Sequence, residues 1–307
     1  MKIGHELAKA NYYWVGLSLI LAIFGNIVRA YRWNLLIEPL GYKPSIVNSF
    51  FAVSLGYFAN IAIPRLGELS RCGALNKSDN VPVDKLFATV IIERSVDLLS
   101  LLTLMGLLFL LKFSFFGNFF EKVVLNPLYQ KFDIHHVSGV VIAFVIIFFC
   151  SLIFLAIYFK AFLKKIKYVV KAYKFGKGIL EGIFSVRKMK QKWMFVFTSI
   201  LIWFIYLLMT YVVFFSIPAT SNLTLVDAMF ILVAGGLGQA APVQNGFGVY
   251  HGIVASALLL YGISFDNGLL FAIIGHESST LFMILFGVLA MIYFFFIQRN
   301  KMQNDPA

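Results

Sequence analysis

Thr89, Glu93, Asp97 and Ser100 are spaced four, four and three residues apart, so on a helix of 3.6 residues per turn they share one face. Two carboxylates a turn apart repel each other when both are ionised, and burial makes charging them harder still. Such a face suits a proton site, or a contact for an ion or a polar headgroup. The competing reading is structural: an internal ion pair between Arg94 and a carboxylate on a neighbouring helix. Residues 88–111 are otherwise apolar, and an ionisable side chain at membrane depth costs roughly 2.5–3.5 kcal/mol. Glu93, Arg94 and Asp97 therefore have to face the bundle interior or a wet cavity.

Two further groups of polar residues stand out. Segment 64–85 is too polar to span, and Arg65 and Arg71 within it could hold a phosphate through forked donors that lysine cannot imitate. Glu68, Glu93 and Asp97 equal Arg65, Arg71 and Arg94 in number, so the group could also neutralise itself, and a solvated cytoplasmic turn is the plain alternative. Pro64 interrupts the preceding helix and Gly67 permits close backbone approach, which marks both as hinge candidates. In the second half, Gln239, Gln244, Asn245 and His251 cluster around Pro242 and the glycines Gly235, Gly236, Gly238, Gly246 and Gly248, a pattern for a hinge or broken helix lining a cavity. His276 and Glu277 could form a proton relay or merely orient each other. No metal-ligand spacing, nucleotide-binding glycine loop or nucleophile elbow occurs, so no metal and no cofactor is expected.

The elements that position these residues follow from composition. The 307 residues are 60% hydrophobic and only 13% charged, more apolar than a soluble core requires, so the chain is expected to be an all-α polytopic membrane protein. A span needs about 20 apolar residues. Candidates lie at 11–28, 45–63, 86–111, 138–159, 193–217 and 269–297, while 225–241 and 247–262 read as a broken or re-entrant pair, giving about seven or eight transmembrane helices in a single membrane domain. Cys72 and Cys150 carry no disulfide or metal spacing.

Net charge is +12, yet it is concentrated: eleven lysines and arginines between Lys160 and Lys192 face one acid, Glu181. That excess predicts a cytoplasmic loop resting near anionic headgroups rather than a nucleic-acid site. Counting spans back from it places the N-terminus in the cytoplasm and 29–44 outside, where Arg29, Arg32 and Lys43 run against the rule.

The halves echo each other. In each, apolar segments lead to a proline and a polar, glycine-bearing stretch, then to a helix with a polar centre; Ser95 overlies Ser278 and Asp97 overlies Thr280. Repeats of about 11–111 and 193–297, joined by a span and basic loop at 138–192, are a common transporter plan. Convergent small and polar residues in a bundle would produce the same echo, and parallel and inverted relations both remain open.

Arg29 to Leu36, Pro64 to Arg71, Glu93 to Leu99 and Pro242 to Val249 together resemble the lysylphosphatidylglycerol synthase transmembrane-region family of flippase-like proteins. The resemblance covers about 5–297 and is most specific from Pro64 to Asp97. It implies an integral inner-membrane protein whose relatives move aminoacylated or glycosylated lipids between leaflets, some fused to a soluble domain that transfers lysine from its transfer RNA to phosphatidylglycerol. The longest non-spanning stretch, about 161–192, falls short of the roughly 100-residue scale of a domain, so aminoacyl transfer is not expected of these residues.

The expected function is thus translocation of a polar or modified lipid, with Arg65, Glu68, Arg71, Glu93, Arg94, Asp97, Gln244, Asn245, His276 and Glu277 as the substrate or ion contacts. The partners would be anionic or modified phospholipids or glycolipids, with a separate synthase as a further one. Two rivals are a membrane enzyme using Glu93 or Glu277 as general base on lipid headgroups, and a non-transporting protein that docks a synthase through its basic loop.

Overall fold

The computed structural model describes residues 2–64, 66–112, 189–240 and 243–304. Residues 1–105 with 182–307 form one compact unit and 106–181 a second. The span expected at 138–159 and most of the basic loop lie outside the described residues, as do Arg65 and Pro242. All regular structure among the described residues is helical: α1 (Lys2–Lys9), α2 (Tyr12–Ile37), α3 (Ile46–Ala62), α4 (Leu66–Asp79), α5 (Val83–Leu111), α6 (Lys192–Phe214), α7 (Leu225–Gln239), α8 (Val249–Leu259) and α9 (Phe265–Asn304). Among these, α2, α5, α6 and α9 are long and apolar enough to cross a membrane, whereas α3 and α7 are shorter apolar helices. The chain is an all-α polytopic membrane protein. Ile20, Ile200, Leu281 and Phe295 stand exposed on the long helices, as lipid-facing side chains do.

Local sequence explains where the helices start and stop. The Asn11 side chain accepts the Tyr13 N–H to open α2, and the Ser45 hydroxyl accepts the Asn48 N–H to open α3. Pro64 holds Ile63 extended, at φ −136 and ψ 120, and ends α3. Thr224 and Asp227 form a reciprocal capping box at the start of α7.

Segment 45–63 was expected to cross, with a solvated stretch after it. Instead α3 and α4 pair as an antiparallel hairpin. Asn48 donates to the Asp79 carboxylate at 2.9 Å at the open end, and Gly67 N–H donates to Asn60 Oδ1 at 2.7 Å near the tip. The chain turns back because α4 has something to bury: Gly67, Arg71, Cys72, Ala74 and Leu75 are all inside. A Cβ on Gly67 would overlap the Gly56 carbonyl and the Asn60 side chain, so this turn closes only around glycine.

Helices α7 and α8 make a second hairpin, the broken pair foreseen from the sequence. Its tip uses left-handed backbone at Asn245 (φ 48), Gly246 (φ 71) and Gly248 (φ 79). Gln244 at that tip donates to the Ala62 carbonyl at 3.4 Å, so the two tips meet.

The hairpins come from opposite ends of the bundle. Helices α2 and α6 run antiparallel, because Asn11 N–H donates to Ser216 O at 2.8 Å while Gln191 donates to Glu38 at 3.2 Å. The first hairpin opens beside the end of α2, where Asn34 donates to Pro44 O at 3.0 Å. The second follows the end of α6. Long helix, hairpin and long helix thus occur twice in opposed directions, and a hydrophobic core forms around each hairpin. The N-terminus and residues 189–192 lie at opposite ends of α2, whereas the count of spans that placed both on one side took 45–63 as a crossing.

Candidate functional site

Glu93 lies at the centre of a buried ionic cluster and is 0% exposed. Its Oε1 lies 3.0 Å from Arg29 Nη1 and 3.4 Å from Arg32 Nη2, and its Oε2 lies 3.0 Å from Arg71 Nη1. Asp97, one turn along α5, takes Arg32 Nη2 at 2.8 Å, Arg29 Nη2 at 3.3 Å and Arg94 Nη1 at 3.8 Å. Arg94 Nε also reaches Glu68 Oε1 on α4 at 3.5 Å, which is the internal pair that the structural reading of α5 foresaw. The face carrying Glu93 and Asp97 is therefore tied to α2 and α4 by guanidiniums, and the two carboxylates do not confront each other unpartnered.

Arg29 and Arg32 correct the sequence reading. They were assigned to an outer loop, yet both lie inside α2 and are buried. A span drawn from hydropathy stops at the first charges, whereas here the charges are partnered across the bundle and the helix continues for two more turns. Two signals could have found them: their i, i+3 spacing, which places them on one helix face, and their conflict with the charge rule for loops.

Among the described residues, four guanidiniums meet three carboxylates in this cluster, so one positive charge is left over. A buried charge without its partner is costly, and the excess falls where the cluster opens. Arg71 is 3% exposed and lies over the Trp33 ring at 4.7 Å. Its Nη1 serves Glu93, while Nε and Nη2 are buried without a hydrogen-bond partner. With Arg94, Tyr57, Asn60 and the close-packed Gly56 and Gly67, it lines a half-open recess between the first hairpin and α5. Arg94, with 43% of its side chain exposed, stands at the mouth. About 10 Å³ of the recess is open to the centre of a water molecule, room for roughly one water.

The other candidates gather elsewhere. His276 Nε2 lies 2.9 Å from the Asn245 carbonyl and its Nδ1 3.0 Å from Glu277 Oε1, and the same oxygen lies 3.2 Å from His251 Nε2. Asn245 Nδ2 donates to Thr280 Oγ1 at 2.8 Å. The hinge glycines Gly246 and Gly248 shape this tip, and Pro64 shapes the other. His251, read from the sequence with Gln244 and Asn245, falls on the helix that follows Gly248; its meeting with Glu277 was not foreseen. The ligand atoms of His251, His276 and Glu277 lie within 4.8 Å of one another, close enough to share one metal ion. Among the described residues, no hydrogen bond or ion pair joins this group to Glu93; the link between them is the tip contact of Gln244 with Ala62.

A family model described as the lysylphosphatidylglycerol synthase TM region matches residues 2–287. The chain belongs to that family. A UPF0104 membrane protein from Methanocaldococcus jannaschii is 34% identical over 99 residues, which is 31% of this chain and 30% of that relative's length. No solved structure matches. As a member of this family, the chain places its resemblance-bearing segments at Arg29–Leu36 and Glu93–Leu99 directly against each other, through the pairs of Arg29 and Arg32 with Glu93 and Asp97.

Proposed function

We propose that this chain translocates a polar or modified lipid across the cytoplasmic membrane, its anionic headgroup held at the recess by Arg71 and Arg94. One observation carries the reading: Arg71, whose Nε and Nη2 find no hydrogen-bond partner among the described residues, lines a half-open recess in a cluster with one positive charge to spare. Forked donors of that kind suit a phosphate. Tyr57 and Asn60 would add polar contacts at the wall. The recess holds about one water, so the structure corresponds to a closed state, and a headgroup enters when the hairpin tips part. Among the described residues, a hydrogen bond from Gln244 to Ala62 joins those tips.

The two halves, about 11–111 and 193–297, would act as inverted repeats, each hairpin gating from its own side. The basic loop assigns the end of α2 to the cytoplasm, which puts the N-terminus outside. Anionic or modified phospholipids and glycolipids are the candidate substrates, and a separate synthase is the candidate supplier. The rival use of Glu93 as general base meets an obstacle: both its oxygens are taken by arginines.

The test is purified protein in vesicles carrying fluorescent phosphatidylglycerol, lysylphosphatidylglycerol, phosphatidylethanolamine or glycolipid, with inward movement read by loss of quenching from outside. Wild type is expected to move at least one anionic or modified lipid. Arg71→Lys keeps the charge but loses the fork, and should slow movement about tenfold, the weight of one charge-assisted hydrogen bond. If wild type moves none of the four, or Arg71→Lys equals it, the proposal fails.

A further inference from the structure

Between Lys192 and Arg299 the sequence contains no lysine or arginine, yet Glu277 lies within that stretch, on α9. In the first half, each carboxylate of the buried cluster is met by guanidiniums. Among the described residues, the ion-pair partners of Glu277 are instead two imidazoles, His276 Nδ1 at 3.0 Å and His251 Nε2 at 3.2 Å, both on Oε1. The overlay that sets Ser95 on Ser278 also sets Glu93 on His276 and Arg94 on Glu277. Where the first half draws positive charge from arginines, the second offers lone pairs.

Those lone pairs converge. A carbonyl oxygen cannot donate, so His276 Nε2 carries the hydrogen that bonds Asn245 O at 2.9 Å. Its bare Nδ1 then faces a carboxylate oxygen, an arrangement that a shared cation resolves. Anchoring the second ring N–H to a backbone carbonyl is also how ligating histidines are usually oriented. The ligand atoms of His251, His276 and Glu277 all lie within 4.8 Å of one another. Bonds of about 2.0–2.2 Å in a tetrahedral site set neighbouring ligands about 3.3 Å apart. The two separations from Glu277 Oε1 already fit, and the imidazoles draw together as the ion binds. The Tyr250 and Phe247 rings flank them, 4.8 Å from His276 and 5.4 Å from His251. Glu277, with 36% of its side chain exposed, is the open side.

One contact must yield. The Gly248 N–H lies 3.3 Å from His251 Nδ1, longer than the usual range of about 2.7–3.2 Å. Ligation through Nε2 moves the ring hydrogen to Nδ1, and this long contact is given up. Gly248 has open space around it, so its backbone can turn.

We infer a metal site formed by His251, His276 and Glu277, for a first-row divalent transition ion such as Zn²⁺. Two imidazoles and one carboxylate suit that class, whereas Mg²⁺ and Ca²⁺ take oxygen ligands. Three protein ligands leave a fourth position for water or a substrate oxygen. Because the ligands come from α8 and α9, the bound ion ties the second hairpin to the long helix. As a restraint on lipid movement this rests on the function proposed above; as a metal site it does not.

The test uses full-length protein with a histidine-free tag, stripped with EDTA in detergent micelles and titrated with Co²⁺, whose visible d–d absorption reports four- or five-fold coordination. Wild type should bind one Co²⁺ per chain, displaced by Zn²⁺. His251→Asn keeps an acceptor for the Gly248 N–H and His276→Gln keeps a donor for Asn245 O, but neither keeps the ligating nitrogen. Each should weaken binding by more than the roughly 10–100-fold that losing an outer-shell partner costs. Zinc-edge X-ray absorption of wild type needs no variant and should show two imidazoles with oxygen ligands. Wild type that takes up no Co²⁺ overturns the proposal, as does a zinc spectrum with fewer than two imidazoles. Binding that persists undiminished in either variant assigns the ion to other histidines and overturns it equally. Metal uptake requires no lipid movement, so a protein that binds the ion and moves no lipid refutes transport alone, and an active transporter that takes up no ion refutes the metal site alone.

Discussion

Glu93→Gln preserves shape and removes one charge, and the structure sets what that costs. Three guanidiniums lie within 3.0 to 3.4 Å of the Glu93 oxygens, and the side chain has no exposed surface. A neutral hydrogen bond is worth about 0.5–1.5 kcal/mol, whereas removing one partner of a buried ion pair costs about 3–5 kcal/mol, because the charges left behind stay buried. The amide oxygen of Gln can still accept, but its NH2 group must point at a guanidinium. The upper range is therefore expected: a loss of about 3–5 kcal/mol in unfolding free energy. Reversible unfolding in mixed micelles measures it, with tryptophan fluorescence as the signal, since Trp33 lies against Arg71. Arg94→Gln is the control. Its side chain is 43% exposed and 3.5 Å from Glu68, and an exposed pair contributes at most about 1 kcal/mol. If the two variants lose the same amount, or Glu93→Gln loses under about 1 kcal/mol, Glu93 is not the hub that ties α2, α4 and α5 together.

Gly67→Ala drives a Cβ into the Gly56 carbonyl, a backbone group with little freedom to move, and should destabilise by about 1–3 kcal/mol; Gly73→Ala, with open space around it, should be near neutral in the same titration. In a cysteine-free background, Gly4→Cys should react with an impermeant maleimide from outside intact cells and Gly41→Cys only after permeabilisation, since the two lie beyond opposite ends of α2; labelling of both from one side contradicts the assigned direction of α2. Cys72 is replaced there only for completeness, as it is fully buried.

Much of this fold was legible because hydropathy reports burial in lipid directly. The long helices and the broken pair around Pro242 could be read from length, apolar runs and glycine. Hydropathy does not report direction: α3 looks the same whether it crosses or turns back. The turn depends on Gly56 meeting Gly67 and on Arg71 finding Glu93, which are contacts between segments. The candidate site divides similarly. Glu93, Asp97, Arg71 and Arg94 stand out because charge in an apolar run is conspicuous. Arg29 and Arg32 were equally charged but lay at the edge of a span, where charges are ordinary, so only their partners on α5 reveal them. His251 could be grouped with Gln244 and Asn245 from the glycines around them, but its contact with Glu277 joins two helices and had no signal in the sequence.

The hairpins are held by contacts of unequal strength, and that inequality says which one moves. The first is fixed by ions: Arg71 on α4 pairs with Glu93 on α5, itself bound to α2, and Gly67 is locked onto Asn60. Freeing it would expose a buried charge, at about 3–5 kcal/mol. The second is docked on α9 by the His276 contact to Asn245 O and by Asn245 to Thr280, each within the range of about 0.5–1.5 kcal/mol for a neutral bond, or somewhat more when charged. Motion should therefore begin at the second tip and reach the recess through the Gln244 contact with Ala62. The first hairpin would carry the guanidiniums that bind, and the second, held by weaker contacts, would open.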